Sequence, residues 1–202
     1  MFRFRGIFTV MVTPQTGSGD RGMTDLLGRR RISKSDAIIE ALGDVDEATS
    51  HIGLMRAAVS WDGEWGAGIL ELVQRDLYAL MSELAMPPNH SQASRLAPDR
   101  LEWLDRTLED LKRRVVIPNE FVLPGLTVGG GQVDVARTVV RRAERAVVRV
   151  LEASGEDPGL GYPTNPILSS YLNRLSLVLY FLARIQDAGS GASPRLASSP
   201  PS

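Results

Sequence analysis

Residues 135–150 read VARTVVRRAERAVVRV, and the other segments are best understood against this one. Turned at 100° per residue, Ala136, Val139, Val140, Ala143 and Val147 gather on one side of a helix. Arg137, Arg141, Glu144 and Arg145 gather on the other, and Arg142 and Arg149 flank them. An apolar stripe of this kind packs against other helices. The opposite face, with three guanidinium groups beside one carboxylate, suits a polyanion, because arginine offers a forked set of donors and keeps its charge. A solvated helix face has the same spacing, so spacing leaves both readings open.

Composition bounds the rest. The chain has 202 residues, 43% of them hydrophobic, and a formal charge of −1, enough for one sizeable core. A balance so near zero argues against bulk attraction to nucleic acid, so the arginines are a local feature. There are no cysteines. That excludes disulfides, thiolate metal sites and cysteine nucleophiles, and it fits a cytoplasmic protein. Residues 1–15 begin MFRFRGIFTVMV, an apolar run too short to span a membrane and followed by no small-residue cleavage site. They are read as an extended lead-in, or as lying upstream of the true start.

Residues 16–34, TGSGDRGMTDLLGRRRISK, contain Gly17, Gly19 and Gly22 in the spacing of a dinucleotide fingerprint. The context refuses that motif, which needs a helix at the last glycine and a second strand beyond it. A glycine-rich loop can still wrap phosphates with its backbone N–H groups, with Arg31 and Lys34 as nearby cations. A plain flexible loop is the alternative. The chain beyond is expected to be helical, without strands.

Five helices are expected. The first runs from about Ser35, as N-cap, to Val59, with Ile38, Leu42, Val45 and Ile52 as its stripe and Asp46 at the stripe's edge. The second runs from about Glu64 to Ala85, and the third from about Pro98 to Arg114 with Leu101, Leu104, Leu108 and Leu111 at helical spacing. A connection over residues 117–131 follows, containing FVLPG and a triple glycine; Phe121 is expected to pack against something. The arginine helix is the fourth. The fifth, about Pro166 to Asp187, is apolar on two faces, so Asn173 and Arg174 are expected in a covered place, either an interface network or a ligand site. Residues 188–202 are small, polar and proline-rich, and disorder is expected there. The only histidines, His51 and His90, give no metal motif, and no G-x-S-x-G turn supports a serine hydrolase.

In this order, TGSGDRGMTDLLG, RISKSD, GDVDE, QRDLYALMSELA, FVLPG, ARTVVRRAER and YLNRLS resemble the ATP:cob(I)alamin adenosyltransferases of the propanediol-utilisation type, over residues 16–184. The resemblance implies an all-α, up-and-down five-helix bundle (ferritin-like), occupying residues 16–187 and assembled as a homotrimer. It implies transfer of the 5′-deoxyadenosyl group of ATP to cob(I)alamin, with Mg²⁺ accompanying ATP. By motif position, Thr16, Gly19, Asp20, Gly22 and Lys34 would hold the nucleotide. Arg137, Arg141, Glu144 and Asn173 would complete its site, with Arg141 and Asn173 catalytic. Phe121 would fill the space beneath the corrin and act catalytically by displacing the lower axial ligand. Arg137 would pair with Asp46 of a neighbouring subunit. No resident metal, nucleic acid or membrane is implied; a corrinoid reductase and an adenosylcobalamin-dependent enzyme are the implied protein partners.

The chain departs from the family's usual pattern at Gly17, where a cation is common, at Asp44, Ala48 and Thr49, and at Leu177, where an Asp commonly follows YLNRLS. Two other classes stay open on residues alone. One is a non-catalytic carrier or sensor of ATP or corrinoid, and the other a purely structural helical oligomer.

Overall fold

The computed structural model describes residues 17, 19–27, 29–61, 65–87, 90 and 94–198. Thr16 and the lead-in lie outside the described residues. The chain folds as a bundle of five helices: α1 (Ala37–Ala58), α2 (Trp65–Ala85), α3 (Pro98–Lys112), α4 (Val128–Glu156) and α5 (Ile167–Ala188). Each helix buries the stripe that its sequence spacing defines. In α1 that stripe is Ile38, Ala41, Val45, Ala48, Ile52 and Met55, all fully buried, while Leu42 is only half-buried. In α4 it is Val133, Ala136, Val140, Ala143, Val147 and Val150. Helix α2 packs on α1, α1 on α4, α4 on α5 and α5 on α3.

Ion pairs fix the direction of α4 against α1. Arg142 reaches Asp44 at 3.0 Å and also Glu47, and Arg149 reaches Glu40 at 3.2 Å. Later residues of α4 therefore meet earlier residues of α1, so the two helices run antiparallel. Helix α1 is capped by Asp36 rather than Ser35. The Asp36 carboxylate accepts from the Ile38 N–H at 3.0 Å and from the Tyr162 hydroxyl at 2.6 Å, while the Ser35 hydroxyl turns to that of Ser33 at 2.8 Å. A carboxylate meets the orphan donors of a first turn with its full charge, which a hydroxyl cannot do.

Four other expectations need correction. Ahead of α1 stands a two-stranded antiparallel hairpin, β1 (Met23–Leu26) and β2 (Arg29–Ser33), where only loop was expected. Its irregular register is held by Asp25, which accepts from the Arg31 N–H at 2.7 Å while Arg31 takes a left-handed φ of 59°. The triple glycine lies inside α4, not before it. Thr127 caps that helix, accepting from the Gly130 N–H at 2.9 Å, and a side chain at Gly130 would run into the Asp187 carboxylate. Phe121 is not packed among the described residues: it is 88% exposed. The expected disorder from Ala188 onward is replaced through residue 198 by an ordered strap, whose Leu196 bridges Val122 in antiparallel fashion.

A buried ionic junction ties α2, α3 and α5 together. Arg100 grips Asp76 with two hydrogen bonds, 2.8 and 2.9 Å long, and the Tyr171 hydroxyl donates to the same carboxylate at 2.7 Å. Burial first, and the neighbouring Asp76 charge second, push the Tyr171 phenol well above its ordinary range, so it stays a donor. Asp76→Ala should cost roughly 3 kcal/mol, because Arg100 and Tyr171 lose their shared acceptor inside the bundle. Tyr171→Phe removes one hydrogen bond and should cost about 1 kcal/mol. Thermal melts followed by circular dichroism check both, and equal melting points for wild type and Asp76→Ala would refute the junction's role.

Candidate functional site

The hairpin and the glycines before it form one surface. Gly22 and Gly17 adopt φ values of 72° and 91°, which glycine tolerates at no steric cost. The turn closes through Gly22 N–H to the Gly19 carbonyl at 3.2 Å, and the Lys34 N–H donates to the Gly22 carbonyl at 2.8 Å. A Cβ built on Gly19 would stand 3.0 Å from the Lys34 ammonium, so the lysine lies directly over the glycine backbone. Asp20 is exposed on the same turn. Gly19, Asp20, Gly22 and Lys34 are thus gathered as expected, with a cation above a glycine-rich turn.

The arginines of α4 divide by their partners. Arg142 is tied to Asp44 and Glu47, and its hydrogen bond to Glu47 holds that carboxyl below its usual range. Arg137 donates to Asp134 at 3.0 Å, and Arg145 to the Arg141 carbonyl at 2.9 Å. Arg141 is exposed and makes no ion pair among the described residues. One turn on, Glu144 accepts from the Asn173 amide at 2.9 Å, linking α4 to α5. So three of the expected residues, Arg141, Glu144 and Asn173, share one face. Asn173 is exposed rather than covered, as is Leu177, while Arg174 turns to Asp105 of α3. Asp46 is exposed and makes no ion pair among the described residues, and Arg137 has Asp134. Among the described residues nothing covers Asn173 and Leu177 on their face of α5.

Beside the loop that carries Phe121 lie residues that the sequence did not single out. Asp134, Arg184 and Asp187 form a network about 95% buried, Arg184 pairing with Asp134 and, at 3.2 Å, with Asp187. Asp187 in turn accepts from both the backbone N–H and the hydroxyl of Thr127 at 3.0 Å. The signal was present as two charge pairs at i, i+3, Asp134 with Arg137 and Arg184 with Asp187. It becomes legible only once α4 and α5 are known to be neighbours.

Phe121 and Lys34 stand at opposite ends of the bundle. Lys34 precedes α1, whereas Ser60, just past the end of α1, accepts from Gln186 beside the Asp187–Thr127 anchor. Between Lys34 and Ser60 run the twenty-two residues of α1, about 33 Å at 1.5 Å per residue. Among the described residues no group of three or more His, Asp or Glu side chains is placed to hold a metal.

A glycine-rich turn beneath a lysine, with an unpaired arginine on a helix face, marks a helical bundle suited to an anionic, phosphate-bearing ligand. Known proteins narrow the class. Residues 14–186 match the family model for cobalamin adenosyltransferase, and the chain belongs to that family. It is 35% identical over 178 residues to a cobalamin adenosyltransferase of Cupriavidus metallidurans, covering 88% of this chain and 90% of that one. It is 30% identical over 175 residues to the corrinoid adenosyltransferase PduO of Salmonella typhimurium, covering 86% of this chain but only 49% of that longer protein. Among solved structures it resembles a phenylalanine-to-alanine variant of the PduO-type ATP:corrinoid adenosyltransferase of Lactobacillus reuteri, complexed with cobalamin and ATP. The TM-score is 0.79 at 26% identity, over 92% of this chain and 99% of that one. An arginine-to-lysine variant from the same organism, complexed with ATP, matches with a TM-score of 0.78 at 27% identity, over 91% of this chain and 99% of that one.

Proposed function

We propose that this protein transfers the 5′-deoxyadenosyl group of ATP to cob(I)alamin, giving adenosylcobalamin and triphosphate. The observation that carries the reading is Arg141, an unpaired guanidinium beside the Glu144–Asn173 pair on the face where the family's arginine helix meets YLNRLS. In the reaction the cobalt electron pair forms a bond to C5′ of ATP, and the C5′–oxygen bond breaks toward triphosphate. The leaving group gains a charge as it departs, so fixed cations near it lower the barrier more than they tighten ground-state binding. Arg141 and Lys34 fill that role, with the backbone of Gly19 and Gly22 and, by motif position, Thr16. Asp20 and Asn173 orient the nucleotide. Mg²⁺ arrives on the phosphates, with Glu144 the carboxylate on that face. Phe121, apolar and outward, excludes water and the lower ligand from cobalt. The domain is residues 16–187, working in the cytoplasm, fed by a corrinoid reductase and serving an adenosylcobalamin-dependent enzyme. No helix among the described residues is long and apolar enough to cross a membrane.

The assembly is a homotrimer. With Lys34 and the loop of Phe121 at opposite ends of a bundle whose first helix is about 33 Å long, one copy cannot bring its own glycine turn and its own Phe121 to the same pair of reactants. A site between copies can, and it would cover Leu177 and Asn173 and let Asp46 meet Arg137 of a neighbour. Light scattering at micromolar concentration should give three times the chain mass; a monomer would remove the shared site.

Purified protein with ATP, Mg²⁺ and chemically reduced cobalamin should produce the adenosylcobalamin spectrum, and its absence would favour a carrier or sensor. In that assay Arg141→Ala should lower kcat/KM roughly ten- to a hundredfold, the loss expected for one charge-assisted contact. Arg149→Ala should change it little, since Arg149 meets only Glu40 at the surface. Equal activities would reduce the arginine face to solvated surface.

Phe121→Ala should leave ATP affinity near wild type and slow turnover strongly from cob(II)alamin with a mild reductant. With preformed cob(I)alamin the loss should be smaller, because the difficult electron transfer is already done. Equal impairment with both oxidation states would refute the assigned role.

A further inference from the structure

The loop carrying Phe121 is attached at two places, and both attachments come from the C-terminal end of α5. On one side Asp187 holds Thr127 through its N–H and hydroxyl. On the other, the strap from residue 189 to 198 turns back, starting with Ser190 N–H to the Asp187 carbonyl at 3.1 Å. It then pairs with the loop as a strand: Leu123 N–H donates to the Arg195 carbonyl and Ala197 N–H to the Phe121 carbonyl, both at 2.8 Å. Ser198 adds a hydrogen bond to Glu120.

This pairing fixes which way the side chains point. In extended backbone, successive side chains face opposite sides. Val122 lines a cleft of about 370 Å³ with Ile117, Leu126, Arg184, Asp187 and Pro194. Phe121, 88% exposed, and Leu123, 46% exposed, therefore face away from it. Without the strap, the loop would keep its Thr127 anchor but lose the two backbone bonds flanking Val122, and with them the constraint that turns Phe121 outward.

We infer that residues 189–198 are a positioning element for the corrinoid side of the reaction, setting the orientation of Phe121 through backbone pairing. The inference rests on the proposed function, since it takes Phe121 to meet the corrinoid. It gives the C-terminal segment a task that the arginine helix and glycine turn do not share, because those stand elsewhere on the bundle.

Ala197→Pro tests it, because proline deletes the N–H that the Phe121 carbonyl accepts and leaves the helices untouched. Ala197→Ser keeps the N–H and serves as the rescue. With the full chain, cob(II)alamin and a mild reductant, Ala197→Pro should slow turnover about tenfold, the effect of one or two ordinary hydrogen bonds, with a smaller loss from preformed cob(I)alamin. Its KM for ATP should stay within about twofold, and Ala197→Ser should match wild type. A second variant ending at Ser190 removes the part of the strap that pairs with the loop and should show the same split. Hydrogen exchange provides a readout without turnover, since the Leu123 amide should lose protection in both altered chains. Unchanged turnover from cob(II)alamin, or an equal loss with both oxidation states, overturns the inference. Phe121→Ala is the comparator: if it leaves corrinoid use intact, the proposed role of Phe121 fails, whereas a defect in Phe121→Ala without one in Ala197→Pro sinks the strap alone.

Discussion

The contact on which most of this molecule depends is that of the Asp187 carboxylate with the first turn of α4. A helix N-terminus presents unpaired N–H groups and a partial positive charge, and a buried carboxylate needs both. Asp187 reaches that turn through Thr127 because Gly130 has no Cβ to block it. Arg184, buried beside it, balances the charge and passes the tie to Asp134 and so to Arg137. One set of charges thus fixes where α4 starts, how α5 lies against it, and where the loop bearing Phe121 leaves the bundle. Removing a single member would leave a charge stranded in the interior, which is costlier than never having buried the set.

A second constraint follows from charge placement on α1 and α4. Pairs at 40 with 149 and at 44 and 47 with 142 appear in reverse order along the two helices, setting their register as well as their direction. These pairs are largely exposed, so their contribution is to specificity of alignment more than to stability. They also engage Arg142 and Arg149, whereas Arg141 makes no ion pair among the described residues. Asp44 has its role here as the acceptor for Arg142 at 3.0 Å.

Much of the helix pattern could be read from the sequence, for a simple reason: an amphipathic helix states its buried face in its spacing. The α4 stripe, the ends of α2 and the leucines of α3 are all periodic signals. The glycine turn and its lysine were also legible, as residue types with unusual backbone freedom next to a cation. What sequence could not convey was anything set by a distant partner. The triple glycine reads as loop until Asp187, some 57 positions later, is seen to need the space. The hairpin hides because Arg29, Arg30 and Arg31 look like a charge run, not a strand, and its register depends on the Asp25 carboxylate. Asn173 was expected to be covered because its helix is apolar on both sides, yet the described residues cover only one of them.

The strap's grip on the loop is made by main-chain atoms on both sides. Such pairing is indifferent to side chains, proline excepted, so selection has little hold on the letters GSGASPRLAS that spell it. It has a firm hold on their number. Ala197, which binds the Phe121 carbonyl, stands ten positions after Asp187, which anchors Thr127, and both ends of that count are fixed by geometry. Drift by substitution would pass unseen, whereas one inserted or deleted residue would shift the pairing by a register and turn the alternate face of the strand toward the loop. A segment that composition dismisses as filler would then carry its information as a length.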